Sequence, residues 1–245
     1  MSPSPAVGVS GSAPADVVEQ LRAAIRDAVA DPERAAAQQR YMKSALPYRG
    51  LTSAELKATL RPALAAYVPN VGAEWESAVR RLWDEAEFRD ERYAAAALAQ
   101  HRRARAWQDS ATMELYRHLV VTGAWWDHVD DLATHSIAPI LLRHREVETA
   151  RMREWAVADD MWLRRVAIIC QLPFRDRTDV GLLTEAIEAN VEGTAHGSEF
   201  FIRKAIGWAL RQYARTDPDW VRAFVAAHES VLSGLSRREA LKHLG

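Results

Sequence analysis

Apolar residues along this chain recur at helical spacing and are interrupted by regularly placed breakers. In 75–88 the apolar positions Trp75, Val79, Leu82, Trp83 and Ala86 fall three or four apart, which predicts a helix with one buried face. No stretch alternates strictly enough to predict a strand. The β-branched cluster Leu119-Val120-Val121-Thr122 is short and stops at Gly123, so it reads as a helix end. Asp31-Pro32-Glu33 supplies an N-cap followed by proline at the first helical position. Thr52-Ser53-Ala54-Glu55 and Ser236-Arg237-Arg238-Glu239 both have the form of a capping box. Breakers fall at Pro47 to Gly50, Pro69 to Gly72, Gly123, Pro173 to Thr178, Gly193 to Gly197, Asp217-Pro218 and Gly234. The segments between them hold one or two helices each, at roughly the 40–47-residue period of two-helix solenoid repeats. The predicted fold is all-α: a solenoid of stacked antiparallel helix pairs, whose concave groove suits an extended ligand.

Composition narrows this picture. The chain has 245 residues, 49% apolar and 27% charged, enough to bury a substantial core. No run approaches the ~20 apolar residues of a membrane span, so no membrane association is expected. Residues 1–14 lack the basic start and the apolar stretch of a signal peptide and read as a disordered tail. Residues 15–245 read as a single domain. Cys170 is the one cysteine and sits in an apolar run; it reads as a buried small hydrophobe in a cytoplasmic protein. A formal net charge of −1 argues against coating nucleic acid by bulk charge but leaves a local basic groove open.

The candidate chemistry centres on Trp125-Trp126-Asp127-His128-Val129-Asp130, where Trp126 and Asp130 lie one turn apart on one helix face. Tryptophan and arginine recur together in Trp162-Leu163-Arg164-Arg165 and in Gly207-Trp208-Ala209-Leu210-Arg211. On the residues alone, Trp83, Trp125 and Trp162 read as core, Asp130 as a solvated or capping acid, and Arg165 and Arg211 as surface charges. Gly207 costs ~1 kcal/mol relative to alanine inside a helix, which points to close packing or backbone approach. The eight histidines are scattered; His128 and His135, seven apart, share a helix face without a zinc motif around them. No P-loop and no dinucleotide glycine fingerprint occurs, so neither metal nor cofactor is expected.

Six blocks in order resemble one family. They are Arg40-Tyr41-Met42-Lys43, Leu82-Trp83-Asp84, Val121 to Asp130, Trp162 to Ala167, Glu199 to Trp208, and Leu235 to Ala240. From about residue 38 to 244 the chain resembles the AlkD-type DNA glycosylases, bacterial HEAT-like-repeat enzymes that excise alkylated purines. It departs at His128, where a small polar residue is expected, and in its longer Pro/Ser-rich N-terminus. The resemblance implies a catalytic Asp130, lesion-flanking Trp126 and Trp208, a DNA-contacting Tyr41, and groove arginines Arg165 and Arg211. Lys43, Phe201 and Lys204 join the expected DNA-binding set. The implied partner is double-stranded DNA containing alkylated purines. The implied protein is monomeric, resides in a bacterial cytoplasm and meets the nucleoid when bound to DNA.

The chemistry fits those residue types. N3- and N7-alkylated purines are cationic, and breaking their glycosidic bond develops oxocarbenium character on the sugar. A carboxylate near the anomeric carbon stabilises that charge, on the order of 3–4 kcal/mol per well-placed group. Tryptophan faces hold the cation, worth roughly 0.5–2 kcal/mol each. The resemblance further implies work on a stacked base through backbone contacts, tolerance of bulky adducts, and, in antibiotic producers, self-resistance. It implies release of the base without strand cleavage, since no lysine adjoins Asp130 as a Schiff-base nucleophile. The alternatives from other classes are a non-catalytic HEAT-repeat protein binding damaged or distorted DNA, and a protein-binding helical scaffold.

Overall fold

The computed structural model describes residues 16–244, so the segment read as a tail, 1–14, lies outside the described residues. Every α, π or 3-10 element among the described residues is helical, and none is a strand. The chain divides into two compact units, one ending at His101 and the other beginning at Arg102.

The first unit contains α1 (Val17–Asp27), α2 (Pro32–Met42), α3 (Ser53–Ala66), α4 (Gly72–Asp84) and α5 (Arg89–Ala99). Local signals set its helix starts. Asp31 accepts from Arg34 N with Pro32 in the first turn, and Thr52 and Glu55 complete a reciprocal capping box. Val79, Leu82 and Trp83 of α4 are fully buried against α5 and α1. Trp75 is buried beside them, and its Nε1–H donates to Leu98 O at 2.8 Å. The helix expected over 75–88 stops at Asp84 instead. Long-range bonds hold the break: Arg89 N donates to Pro47 O at 2.9 Å, and Arg49 N donates to the Asp90 carboxylate at 2.9 Å. Arg22 of α1 spans the same junction, donating to the carbonyls of Arg81 and Glu85 and pairing with buried Glu91 at 3.3 Å.

The second unit contains α6 (Met113–Gly123), α7 (Trp126–Asp131), a π turn (Leu132–Ile137), α8 (Ala138–Arg143), α9 (Arg145–Ala156), α10 (Met161–Ile169), α11 (Val180–Glu188), α12 (Phe200–Tyr213), α13 (Pro218–Ala227) and α14 (Gly234–Leu241). Helix α10 is its axis, buried from Trp162 to Ile169 and packed on α9, α12, α7 and α11. Cys170, at its end, is fully buried, and burial pushes its thiol up to about 12. Helix α9 follows α8 and α10 follows α9 after short connections, and each packs on its predecessor; α12 packs on α10 and on α14.

Two details differ from the sequence reading. Helix α14 begins at Gly234, with Ser233 as N-cap accepting from Ser236 N at 3.0 Å. Ser236 therefore lies inside the helix, where its hydroxyl donates to Arg203 O, and Glu239 turns to α12 instead of capping. Trp125 is half-buried, whereas Trp83 and Trp162 are buried as core. Gly207 is where α12 and α14 meet. A Cβ there would lie 2.5 Å from Glu239 Cβ and 3.0 Å from Ser236 O, so only glycine permits the approach.

Candidate active site

The tract around Asp130 is shaped by its neighbours in sequence. Helix α6 ends at Gly123, and Ala124 takes a left-handed conformation (φ 40°) that turns the chain. Trp125 is the extended N-cap of α7, which carries Trp126 at its start and Asp130 one turn later. The helix then widens into the π turn, where Ala138 N–H reaches back five residues to Ala133 O. Pro139 explains the widening: it has no N–H, and its ring would press on the carbonyl four residues before it. Thr134 Oγ1 donates to Asp130 O at 2.7 Å within this stretch. The change of helical phase also separates the two histidines read as sharing a face. His128 is buried, while the His135 side chain is 65% exposed.

Asp130 is gripped by a fork. Arg165 Nε donates to Oδ1 at 2.7 Å and Nη2 to Oδ2 at 2.8 Å, a bidentate pair. The Asp130 side chain is 17% exposed and that of Arg165 only 6%. The remaining amino group of Arg165 donates to Phe201 O at the start of α12. One buried guanidinium thus joins α7, α10 and α12. Burial pushes the Asp130 carboxyl above the usual aspartate range, the hydrogen bonds and charge of Arg165 oppose that push, and Asp127 adds to it.

Arg165, expected in the groove, is an enclosed side chain whose Nε, Nη1 and Nη2 each donate to Asp130 or Phe201, which places it behind the acid. Its neighbour Arg164 is buried as well. Arg164 donates to Ala158 O and Val157 O, and with Asn190 it covers the carbonyl end of α9.

Beneath the pair lies an aromatic cluster. Phe201 packs on Trp125 and Trp162 with ring centroids 5.3 and 5.1 Å apart, and Arg165 Cζ stands 5.9 Å from the Phe201 centroid. Phe201, expected at the DNA surface, is half-buried in this cluster. The exposed ring is its neighbour Phe200, at 51%, which sequence reasoning passed over. The adjacent Phe-Phe pair was the available signal: successive positions lie about 100° apart around a helix, so a helix buried on one side turns one of the two rings outward.

Asp130 opens onto a cleft of about 470 Å³. Asp131, Thr134 and His135 line it from the same stretch, Leu172 and Pro173 from the loop after α10, and Trp208 and Gln212 from α12. The structure therefore brings Asp130 and Trp208 to one cleft, with Arg165 behind the acid. Trp126 is half-buried one turn before Asp130 and is not part of the lining. Lys204 and Arg211 converge on Glu239 of α14, Lys204 at 3.0 Å. The hydrogen bond from Lys204, followed by the charges of both cations, holds the Glu239 carboxyl below its usual range. Tyr41 is 72% exposed and Lys43 is exposed at the left-handed C-cap of α2, both in the first unit.

No curated protein matches the chain. A solved structure from Enterococcus faecalis, described as a predicted DNA alkylation repair enzyme, is similar with a TM-score of 0.70 and 29% identity over 88% of this chain and 97% of its own. The family model for DNA alkylation repair enzymes matches residues 22–244. With that match over most of its length, the chain belongs to the DNA alkylation repair enzyme family.

Proposed function

We propose that the protein is a monofunctional DNA glycosylase that hydrolyses the N-glycosidic bond of cationic N3- and N7-alkylated purines in duplex DNA. The observation that carries this reading is a partly buried aspartate, fixed by a bidentate arginine, at a cleft it shares with a tryptophan. Departure of an alkylated purine leaves positive charge on the sugar. A fixed anion in a poorly hydrated setting stabilises that charge without reorganising. Asp130 supplies the anion, and Arg165 keeps it oriented. Trp208 offers a π face to the sugar or the cationic base, and Trp126 takes the other side when DNA is bound.

Duplex binding rests on phosphate contacts that carry no sequence information. Lys204 and Arg211 share one Glu239, so this patch keeps one net positive charge and spare donors for a phosphate. Tyr41 and Lys43 serve the same purpose from the first unit. An open cleft beside the acid also accommodates bulky adducts, including those of DNA-alkylating antibiotics, with the base still stacked.

The test is direct. Duplexes carrying 7-methylguanine, 3-methyladenine or a bulky N3-adenine adduct are incubated with wild-type protein and with Asp130→Asn, and released base is quantified against spontaneous depurination. Wild-type protein should release base and leave an unbroken abasic strand; Asp130→Asn should bind duplex normally and release almost none. Wild-type rates in Asp130→Asn would remove the acid from the mechanism.

A further inference from the structure

The cleft holds a second polar pair. His135 Nδ1 lies 3.0 Å from Asp131 Oδ1 and 3.2 Å from Thr134 Oγ1. Both His135 and Asp131 line the cleft with Asp130 and Trp208. A carboxylate on Nδ1 fixes the imidazole tautomer, so Nδ1 keeps the proton and Nε2 presents a lone pair. Nε2 meets no hydrogen-bond partner among the described residues, and the 65% exposure of the side chain lets water reach it.

Asp130 has a conflict of duties if it acts alone. Its negative charge opposes the developing sugar cation. Were it also to take the proton of the attacking water, that charge would be cancelled as the water adds. Both of its oxygens are also held by Arg165. A second acceptor separates the two duties.

We infer that His135, oriented by Asp131, is the proton acceptor for the hydrolytic water; this rests on the glycosylase reading above. The bond from C1′ to the purinium nitrogen breaks, and its electron pair leaves with the purine, which departs neutral. The water oxygen bonds to C1′. The water proton passes to His135 Nε2, and the imidazolium so formed is balanced by Asp131 before it loses the proton to solvent. Asp130 stays anionic throughout. The titratable groups facing His135 in the cleft are Asp130 and Asp131; Leu172 and Pro173 from the loop and Trp208 and Gln212 from α12 carry no charge.

The experiment compares wild-type protein, His135→Ala and Asp131→Asn in single-turnover release of 7-methylguanine from a duplex, over a pH series. Affinity for undamaged duplex and the melting temperature are measured alongside. His135→Ala should lose excision rate on the order of a hundredfold, the low end for a positioned general base. Its DNA affinity and melting should match wild type, and added imidazole should restore the rate in proportion to its concentration. Asp131→Asn should lose less, because the imidazole remains. A wild-type rate in His135→Ala, or a deficit that imidazole leaves untouched, overturns the assignment and leaves the glycosylase reading standing. Wild-type protein that releases no base from any alkylated duplex overturns both.

Discussion

Truncating Arg165 separates the two roles open to it. The Arg165 side chain is 6% exposed and that of Asp130 17%, so Arg165→Ala leaves a largely enclosed carboxylate without its partner. Breaking such a pair from one side costs about 3–5 kcal/mol. The residual exposure of Asp130 admits water and places the loss near 3, to which the orphaned Phe201 carbonyl adds about 1. For a chain of this size that total lowers the melting temperature by roughly 8–16 °C. A chemical signature accompanies the loss. The hydrogen bonds and charge that oppose the upward push on Asp130 both come from Arg165. Without them the carboxyl rises further. The acid limb of excision by Arg165→Ala should therefore be displaced upward from that of wild type. Arg165→Lys should fall between, since an ammonium keeps the charge but not the fork. The assays are thermal melting, single-turnover base release from pH 5 to 9, and binding of undamaged duplex over a salt series. If Arg165→Ala melts like wild type while its duplex binding weakens and its salt slope drops, Arg165 is a phosphate contact and the placement behind Asp130 is refuted.

Other outcomes follow from the same geometry. If, as proposed, excision uses the Asp130 anion, activity should fall as pH drops through its raised value, and a pH-rate profile lacking an acid limb would contradict this. Glu239 titrates below its usual range in the fold, so its stability contribution is present above the unfolded value and lost as pH falls through the folded one; Glu239→Gln should flatten that acid limb in denaturant titrations. Arg211→Ala should weaken binding to undamaged and damaged duplex alike and lower the salt slope by about one, whereas Trp208→Ala should slow excision with little change in that slope. Gly207→Ala gains about 1 kcal/mol of helix propensity but drives a methyl to 2.5 Å of Glu239 Cβ and 3.0 Å of the Ser236 carbonyl. Overpacking of about 1–3 kcal/mol should dominate, and a higher melting temperature in this variant would count against the close α12–α14 approach.

Local interactions are readable from a sequence, and long-range ones are not. Helix starts at Asp31 and Thr52 were legible because the cap and its target N–H lie within three residues. The same logic failed at Ser236, where two serines three apart compete and the earlier one takes the N-cap. The break at Asp84 was illegible because its bonds come from Pro47 and Arg49, about 40 residues away. The π turn could have been anticipated from Pro139 within an otherwise helical run.

At the site, tertiary packing changed the meaning of a residue more than its presence. Family resemblance singles out Asp130, Trp126 and Trp208, of which the cleft brings Asp130 and Trp208 together, yet nothing local distinguishes Arg165 from a surface cation. Two consecutive arginines normally signal a solvated face, and only the complete enclosure of α10 turns both inward. Arg164 then closes the end of α9 and Arg165 closes on Asp130. The enclosure has a functional consequence. A buried guanidinium, tied at once to α7 and α12, makes the position of the acid depend on the packing of three helices. Substitutions that loosen α10 without touching the cleft should therefore act on excision before they act on DNA binding. Lys204 and Arg211 show the opposite arrangement: partly exposed, sharing a carboxylate, they keep charge at the surface where a phosphate can use it.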